Sequence, residues 1–229
     1  MKKIWKYRFY YYLALPGLIY FIIFHYVPMG GALIAFKDIS PFDGLRGFFD
    51  APWVGFKHFE RFTSSVYFLD VIENTLIISG LKILFGFPAP IILALLLNEV
   101  LRMSLKRIMQ TISYLPHFIS WVVTAGMITA LLATSGGLLT ETINDFTGSN
   151  INFLGNKDYF VGILVTSHVW KTIGWSSIIY LAAMSSIDPA LYESARIDGA
   201  NRLQMAWHIT LPSIMFVIVI MFLLEIGNL

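Results

Sequence analysis

The sequence predicts an all-α integral membrane protein, a helical bundle of five transmembrane helices. Two features of composition and one of pattern predict it. The chain is 57% hydrophobic, and only 13% of its 229 residues are Asp, Glu, Lys or Arg, about half the share in soluble domains. Aromatic residues reach 16%. Five apolar stretches match, or nearly match, the roughly 20 residues a helix needs to cross a bilayer core.

The first stretch covers about Phe9–Phe36 and holds Pro16, Gly17 and Pro28. It is too long for a cleaved signal peptide, and no clean small-x-small site follows it, so it reads as a retained anchor. Ahead of it, MKKIWKYR carries Lys2, Lys3, Lys6 and Arg8, which places the N-terminus in the cytoplasm by the positive-inside rule. The second span covers about Val71–Leu97, with Gly80, Gly86, Pro88 and Pro90 as interruptions. The third covers about Ile108–Ala133, the fourth Tyr159–Ile187 with a break at Gly174, and the fifth Pro212–Leu229. Alternation puts Lys37–Asp70 and Thr134–Lys157 outside, and Asn98–Arg107 and the segment 188–211 inside. Nine basic residues then lie inside and five outside, as the rule requires. Broken helices survive in lipid where neighbours or a cavity re-satisfy the backbone. The breaks read as kinks for packing, or as helices shaped around a pathway.

Several classes of chemistry are excluded. Without cysteine there is no disulfide, thiol nucleophile or thiolate metal site. The five histidines (His25, His58, His117, His168, His208) are scattered, and no pair has helical metal spacing, so no metal site is expected. A net charge of +2 without a basic patch gives no footprint for nucleic acid. No glycine loop precedes Lys171-Thr172, so there is no P-loop, and neither G-x-S-x-G nor H-E-x-x-H occurs. No catalytic residue is assigned, and the chain reads as something other than an enzyme.

Ionisable residues inside membrane spans are candidates for function. Lys171 is the main one and Lys82 a weaker one. At 100° per residue, His168, Lys171, Thr172 and Trp175 share one arc of the fourth span, extended by Ser176. This polar, aromatic stripe reads as the lining of a passage for a polar solute. The plainer reading is hydrogen bonding to a neighbouring helix, or a Lys171 that snorkels to an interface.

The segment ESARIDGANRLQMAWHITLP, Glu193–Pro212, is compact and polar between two apolar stretches. Asp188-Pro189 reads as an N-cap with proline at the first helical position. A short helix over Ala190–Ile197 follows, then a sharp turn at Gly199. A second short helix covers Asn201–His208, and Leu211-Pro212 ends the segment. The result is a helix-turn-helix with a small-residue face at Ala195, Gly199 and Ala200, suited to docking, or otherwise an ordinary solvated loop.

The spacing Glu193-Ser194-Ala195, three residues, Gly199, nine residues, then Ile209-Thr210-Leu211-Pro212 resembles the EAA motif of permease subunits of binding-protein-dependent ABC importers. Ser194 stands where the motif has its middle alanine. YYLALPGLIYFIIFHYVPMGGALIAFKDISPF, WVGFKHFERF and SYLPHFISWVV are similar to carbohydrate-uptake permeases, most of all the LplB-like oligosaccharide or polysaccharide branch. The resemblance implies a type I importer permease fold over residues 1–229 as a single domain. It implies that Glu193, Ser194, Ala195, Gly199, Ile209, Leu211 and Pro212 couple to a separate ABC ATPase subunit, which binds the ATP and Mg that this chain does not. It further implies a second homologous permease subunit, and a solute-binding protein or lipoprotein on the outer face. The setting is multi-pass, in the lipid of a bacterial cell membrane, and the activity is ATP-driven uptake of a sugar or oligosaccharide by alternating access. Family members have six spans, so the chain is expected to be truncated at its C-terminus. An importer for another solute, and a non-conducting fragment that still docks the ATPase, are the alternatives.

Overall fold

The computed structural model describes residues 5–40, 42 and 44–227. Lys2 and Lys3 of the basic tail, and the last two residues of the expected fifth span, lie outside the described residues. Among the described residues the chain is helical and contains no strand, only an isolated antiparallel bridge between Lys37 and Trp53. It divides into two compact units, Met1–Ile72 and Glu73–Leu229.

In the first unit, α1 (Arg8–Phe36) is a 29-residue helical run whose apolar side chains are exposed along most of its length. Hydrocarbon makes such exposure favourable. Two short helices follow, α2 (Gly44–Asp50) and α3 (Lys57–Thr63). Lys37 ties them together. It is buried, and its ammonium donates to the carbonyls of Phe48 (2.8 Å) and Phe49 (3.2 Å) near the end of α2. Its own carbonyl is bonded by the His58 ring on α3 at 3.0 Å. Nearby, Lys57 pairs with Asp38 at 2.8 Å and holds that carboxyl below its ordinary range.

α4 (Phe68–Asn98) is a 31-residue apolar run. In the second unit come α5 (Met103–Phe118), α6 (Trp121–Leu132) and α7 (Leu138–Thr147). They are followed by α8 (Lys157–Ser185), α9 (Pro189–Ile197), α10 (Arg202–Ser213) and α11 (Met215–Gly227). By length and apolarity two helices, α1 and α4, suffice to cross a membrane. The number rises to four if the bent pairs α5–α6 and α10–α11 each count as one span. α8 is long enough at 29 residues, but its polar stripe keeps it below that level of apolarity.

Three of the prolines do not break their helices. Each is preceded by a π turn, at Ile22–Tyr26 before Pro28, Lys82–Gly86 before Pro88 and Ala206–Thr210 before Pro212. Proline lacks an N–H and its ring crowds the carbonyl four residues back. Widening the turn before it relieves the crowding and lets the helix continue. The N–H groups of Val27 and Leu211 accordingly reach back five residues, to Ile22 and Ala206. The expected interruptions at Gly80, Gly86, Pro88 and Pro90 are thus a local rewinding inside a continuous α4.

The third stretch departs from a single helix. α5 and α6 meet at 99° across Ile119 and Ser120. Leu115–Phe118 tightens into a 3₁₀ turn with Pro116 near its start, Ile119 is extended, and the Ser120 hydroxyl caps α6 by accepting from Val123 N–H at 3.2 Å. Nor does the second short helix stop at His208. α10 runs on to Ser213, and a 66° bend at Ile214 leads into α11.

α8 is the axis of the second unit and packs against α4, α5 and α11. Its buried residues, Val165, Lys171, Gly174, Ser177, Tyr180 and Met184, recur every three to six positions along one face. Tyr180 and Met184 join Ala94 of α4 and Ile214 at the α10–α11 bend in a buried apolar cluster. Gly174 does not break α8. It is where α8 touches α5: a Cβ there would lie 1.9 Å from the Ser113 carbonyl oxygen.

Candidate functional site

Two regions carry the chemistry, the segment from α9 to α10 and the polar face of α8. In the first, the cap at Asp188, the short helix α9 and the turn at Gly199 form as the sequence predicts. The Asp188 carboxylate accepts from Ala190 N–H at 2.9 Å, and Pro189 occupies the first turn of α9. Gly199 adopts φ +81°, a left-handed conformation that side chains resist. Asn201 and Gln204 then form a reciprocal capping box at the start of α10, at 2.9 and 2.8 Å.

Two contacts hold the segment in shape. The Tyr192 hydroxyl lies 2.9 Å from that of buried Thr210, bridging α9 to α10. Arg202 pairs with Glu99 at 3.6 Å, at the end of α4. Glu193 and Ser194 are exposed, Ala195 is half-buried, and Gly199 lies open at the turn. Ile209 and Leu211 are half-buried on α10, and Pro212 is exposed. Around Glu99, Tyr192, Glu193, Arg196 and Arg202 is a polar hollow of about 760 Å³. Tyr192→Phe is expected to cost about 1 kcal/mol, the usual worth of one such bond. Faster hydrogen exchange over residues 189–213, with no change in α8, is the check.

On α8 the five predicted residues separate. Lys171 is 5% exposed, and its ammonium donates to the carbonyls of Pro116 (3.3 Å), His117 (3.2 Å) and Ile119. The Trp121 ring lies 5.2 Å away. These carbonyls lie at the end of α5, where the helical bonding stops, and three ammonium donors meet three acceptors. The ammonium is thus bound to backbone at the α5–α6 bend and does not snorkel. Trp175 stacks flat on His117, at 4.6 Å and 3°. Thr172 bonds back to the His168 carbonyl at 2.8 Å. His168, Thr172 and Ser176 line a small hollow of about 90 Å³ with Glu225 of α11. His168 also lines a second cavity of about 410 Å³ that holds Lys82 and Trp121.

Glu225 carries no signal in the sequence, because what it faces is set by the packing of α11 against α8. The roles of His117 and Trp121 had no signal, since both act across the α5–α6 bend. Among the described residues no group of three or more His, Cys, Asp or Glu could hold a metal ion.

The family described as "Binding-protein-dependent transport system inner membrane component" matches residues 86–229. The chain is 48% identical over 227 residues to the polygalacturonan/rhamnogalacturonan transport system permease protein YteP of Bacillus subtilis, covering 99% of this chain and 70% of that one. To protein LplB of the same organism it is 44% identical over 218 residues, covering 95% and 68%. Its fold matches the crystal structure of a bacterial ABC transporter involved in the import of the acidic polysaccharide alginate. The TM-score is 0.88 at 42% identity, covering 99% of this chain and 75% of that one. A second crystal structure of a bacterial alginate ABC transporter, in complex with an alginate pentasaccharide-bound periplasmic protein, matches at 0.86. The fold is therefore that of a type I importer permease. By its sequence over residues 86–229 and its fold over nearly its whole length, the chain belongs to the family of inner membrane components of binding-protein-dependent transport systems.

Proposed function

We propose that this chain is the membrane-spanning permease subunit of an ATP-driven importer of a sugar or oligosaccharide, working by alternating access. The observation that carries the reading is the segment from α9 to α10. It presents Glu193 and Ser194 to solvent on a short helix set by Asp188, Gly199 and the Asn201–Gln204 box. Such a knob suits a groove on a separate ATPase, which supplies the bound ATP and Mg. A solute-binding protein delivers the sugar to the outer face, and a second permease completes the pathway. The N-terminus is cytoplasmic, on the same side as the knob. The sugar class is supported by the saccharide importers among the relatives. His168, Thr172, Trp175 and Ser176 are the candidate passage lining on α8, with Lys171 committed to the α5 end.

A thiol cross-link tests this, because the chain has no cysteine. Ser194 is preferred to Ala195, which is half-buried. Ser194→Cys, treated in native membranes with a short cross-linker, is expected to trap a protein with a P-loop. Labelling of Ser194→Cys from the outer face, with Asn150→Cys reached only from the cytoplasm, would overturn the topology and the coupling role together.

A further inference from the structure

Lys82 lies on the π turn of α4, near the midpoint of a 31-residue apolar run. A lysine stem reaches an interface only from near the end of a span. Lys82 is half-buried, and among the described residues it makes no hydrogen bond or ion pair. Its side chain lines the 410 Å³ cavity between α4, α6 and α8, a volume within the roughly 300–1,000 Å³ of small-molecule sites. Among the described residues no Asp or Glu lines this cavity. The carboxylate of Glu225 belongs to the separate small hollow beyond His168.

A cation inside a membrane span is costly without an opposite charge. This one faces a cavity that is otherwise apolar, aromatic and hydroxylic. Trp121, whose ring lies parallel to His168 at 6.4 Å, and Phe160 supply flat faces. Such faces suit the C–H faces of a pyranose ring and leave its rim free for polar groups. Ser167 supplies a hydroxyl. Ser167 donates to the Ile163 carbonyl at 2.5 Å, so its oxygen remains an acceptor for a sugar hydroxyl.

We propose that this cavity is a subsite for an anionic sugar unit, in which the Lys82 ammonium is the counter-charge to the sugar carboxylate. The proposal rests on the sugar-import reading and narrows it to acidic saccharides. It assigns Lys82 to the solute and Lys171 to the fold, although both are lysines inside predicted spans.

The test uses Thr129→Cys as a reporter in the assembled transporter in membranes. A small thiol reagent labels position 129, and the adduct is read by mass on this chain. The probes are a uronic-acid trisaccharide and the same trisaccharide with its carboxyls reduced to alcohols. The acidic probe is expected to slow labelling at least about tenfold more than the neutral one, as a paired buried charge implies. Lys82→Met removes that difference and Lys82→Arg keeps it. Equal protection by both probes overturns the subsite, as does a preference for the acidic probe that survives Lys82→Met. If Lys82→Met fails to reach the membrane, the paired probes on the unsubstituted Lys82 chain and on Lys82→Arg decide. Uptake of a saccharide with no protection at position 129 sinks the subsite alone. Absence of both protection and saccharide uptake sinks the sugar-import reading as well.

Discussion

Gly174→Ala unseats α8 from α5. The added Cβ would stand 1.9 Å from the Ser113 carbonyl oxygen and 2.9 Å from the Tyr114 nitrogen. Those atoms are backbone, so no rotamer change clears them. The helices must part, and overpacking of this kind costs about 3 kcal/mol or more. Parting them also disturbs the contacts just beside Gly174, where Lys171 meets the α5 carbonyls and Trp175 stacks on His117. The expected result is a sharp fall in membrane abundance and in the thermal midpoint of the solubilised transporter. Gly162→Ala, on the same helix with nothing within 4 Å of its Cβ, is the control. It is expected to be neutral or to stabilise by up to about 1 kcal/mol, since alanine is the better helix former. Equal loss in both variants would refute the close contact as the cause.

Lys171→Met removes the ammonium from the carbonyls of Pro116, His117 and Ile119. Methionine fills much of the same volume, so the effect isolates the charge and its donors. Hydrogen bonds to charged groups contribute about 1.5–3 kcal/mol each. Some of the freed carbonyls find water or other donors, so a net loss of about 3 kcal/mol is expected. The bend between α5 and α6 should loosen first, seen as faster hydrogen exchange over residues 115–123. The alternative, a lysine serving solute, predicts the opposite pattern: normal abundance with lost uptake. Thr172→Val, one position along, forfeits only a bond to its own helix and is expected to cost well under half as much. The two lysines therefore separate cleanly, Lys171 by abundance and Lys82 by solute discrimination.

Much was legible in the residues themselves where the cause is local. The N-cap at Asp188, the left-handed turn at Gly199 and the small helix between them rest on side chains within a few residues of the backbone they serve. The same holds for the spacing from Glu193 to Pro212, which resembles the family's motif residue by residue. Prolines are local too, but their sequence signal is ambiguous. Pro28, Pro88 and Pro212 predict a disturbed helix, but not whether the chain breaks or rewinds. The π turns ahead of them carry the helix through each proline.

The polar stripe on α8 shows where sequence periodicity stops. Helical spacing places His168, Lys171, Thr172 and Trp175 on one arc. It does not say what the arc faces. Lys171 finds acceptors more than fifty residues earlier in the chain, at an end of α5 that exists only because the helix turns through 99° there. Of these two span lysines, Lys82, the weaker candidate in the sequence, lines a cavity.

The sequence by itself determined the membrane class, the helical fold and the cap and turn that shape the segment from α9 to α10. Apolar content, span length and capping act within one helix or one turn, and are written in adjacent residues. Only the tertiary structure decided which charges serve the fold and which face open space, and that Gly174 is a contact and not a break. The physical reason is that a buried charge is defined by its partners. Those partners come from distant segments brought within 3 to 4 Å by packing, a distance no local pattern encodes.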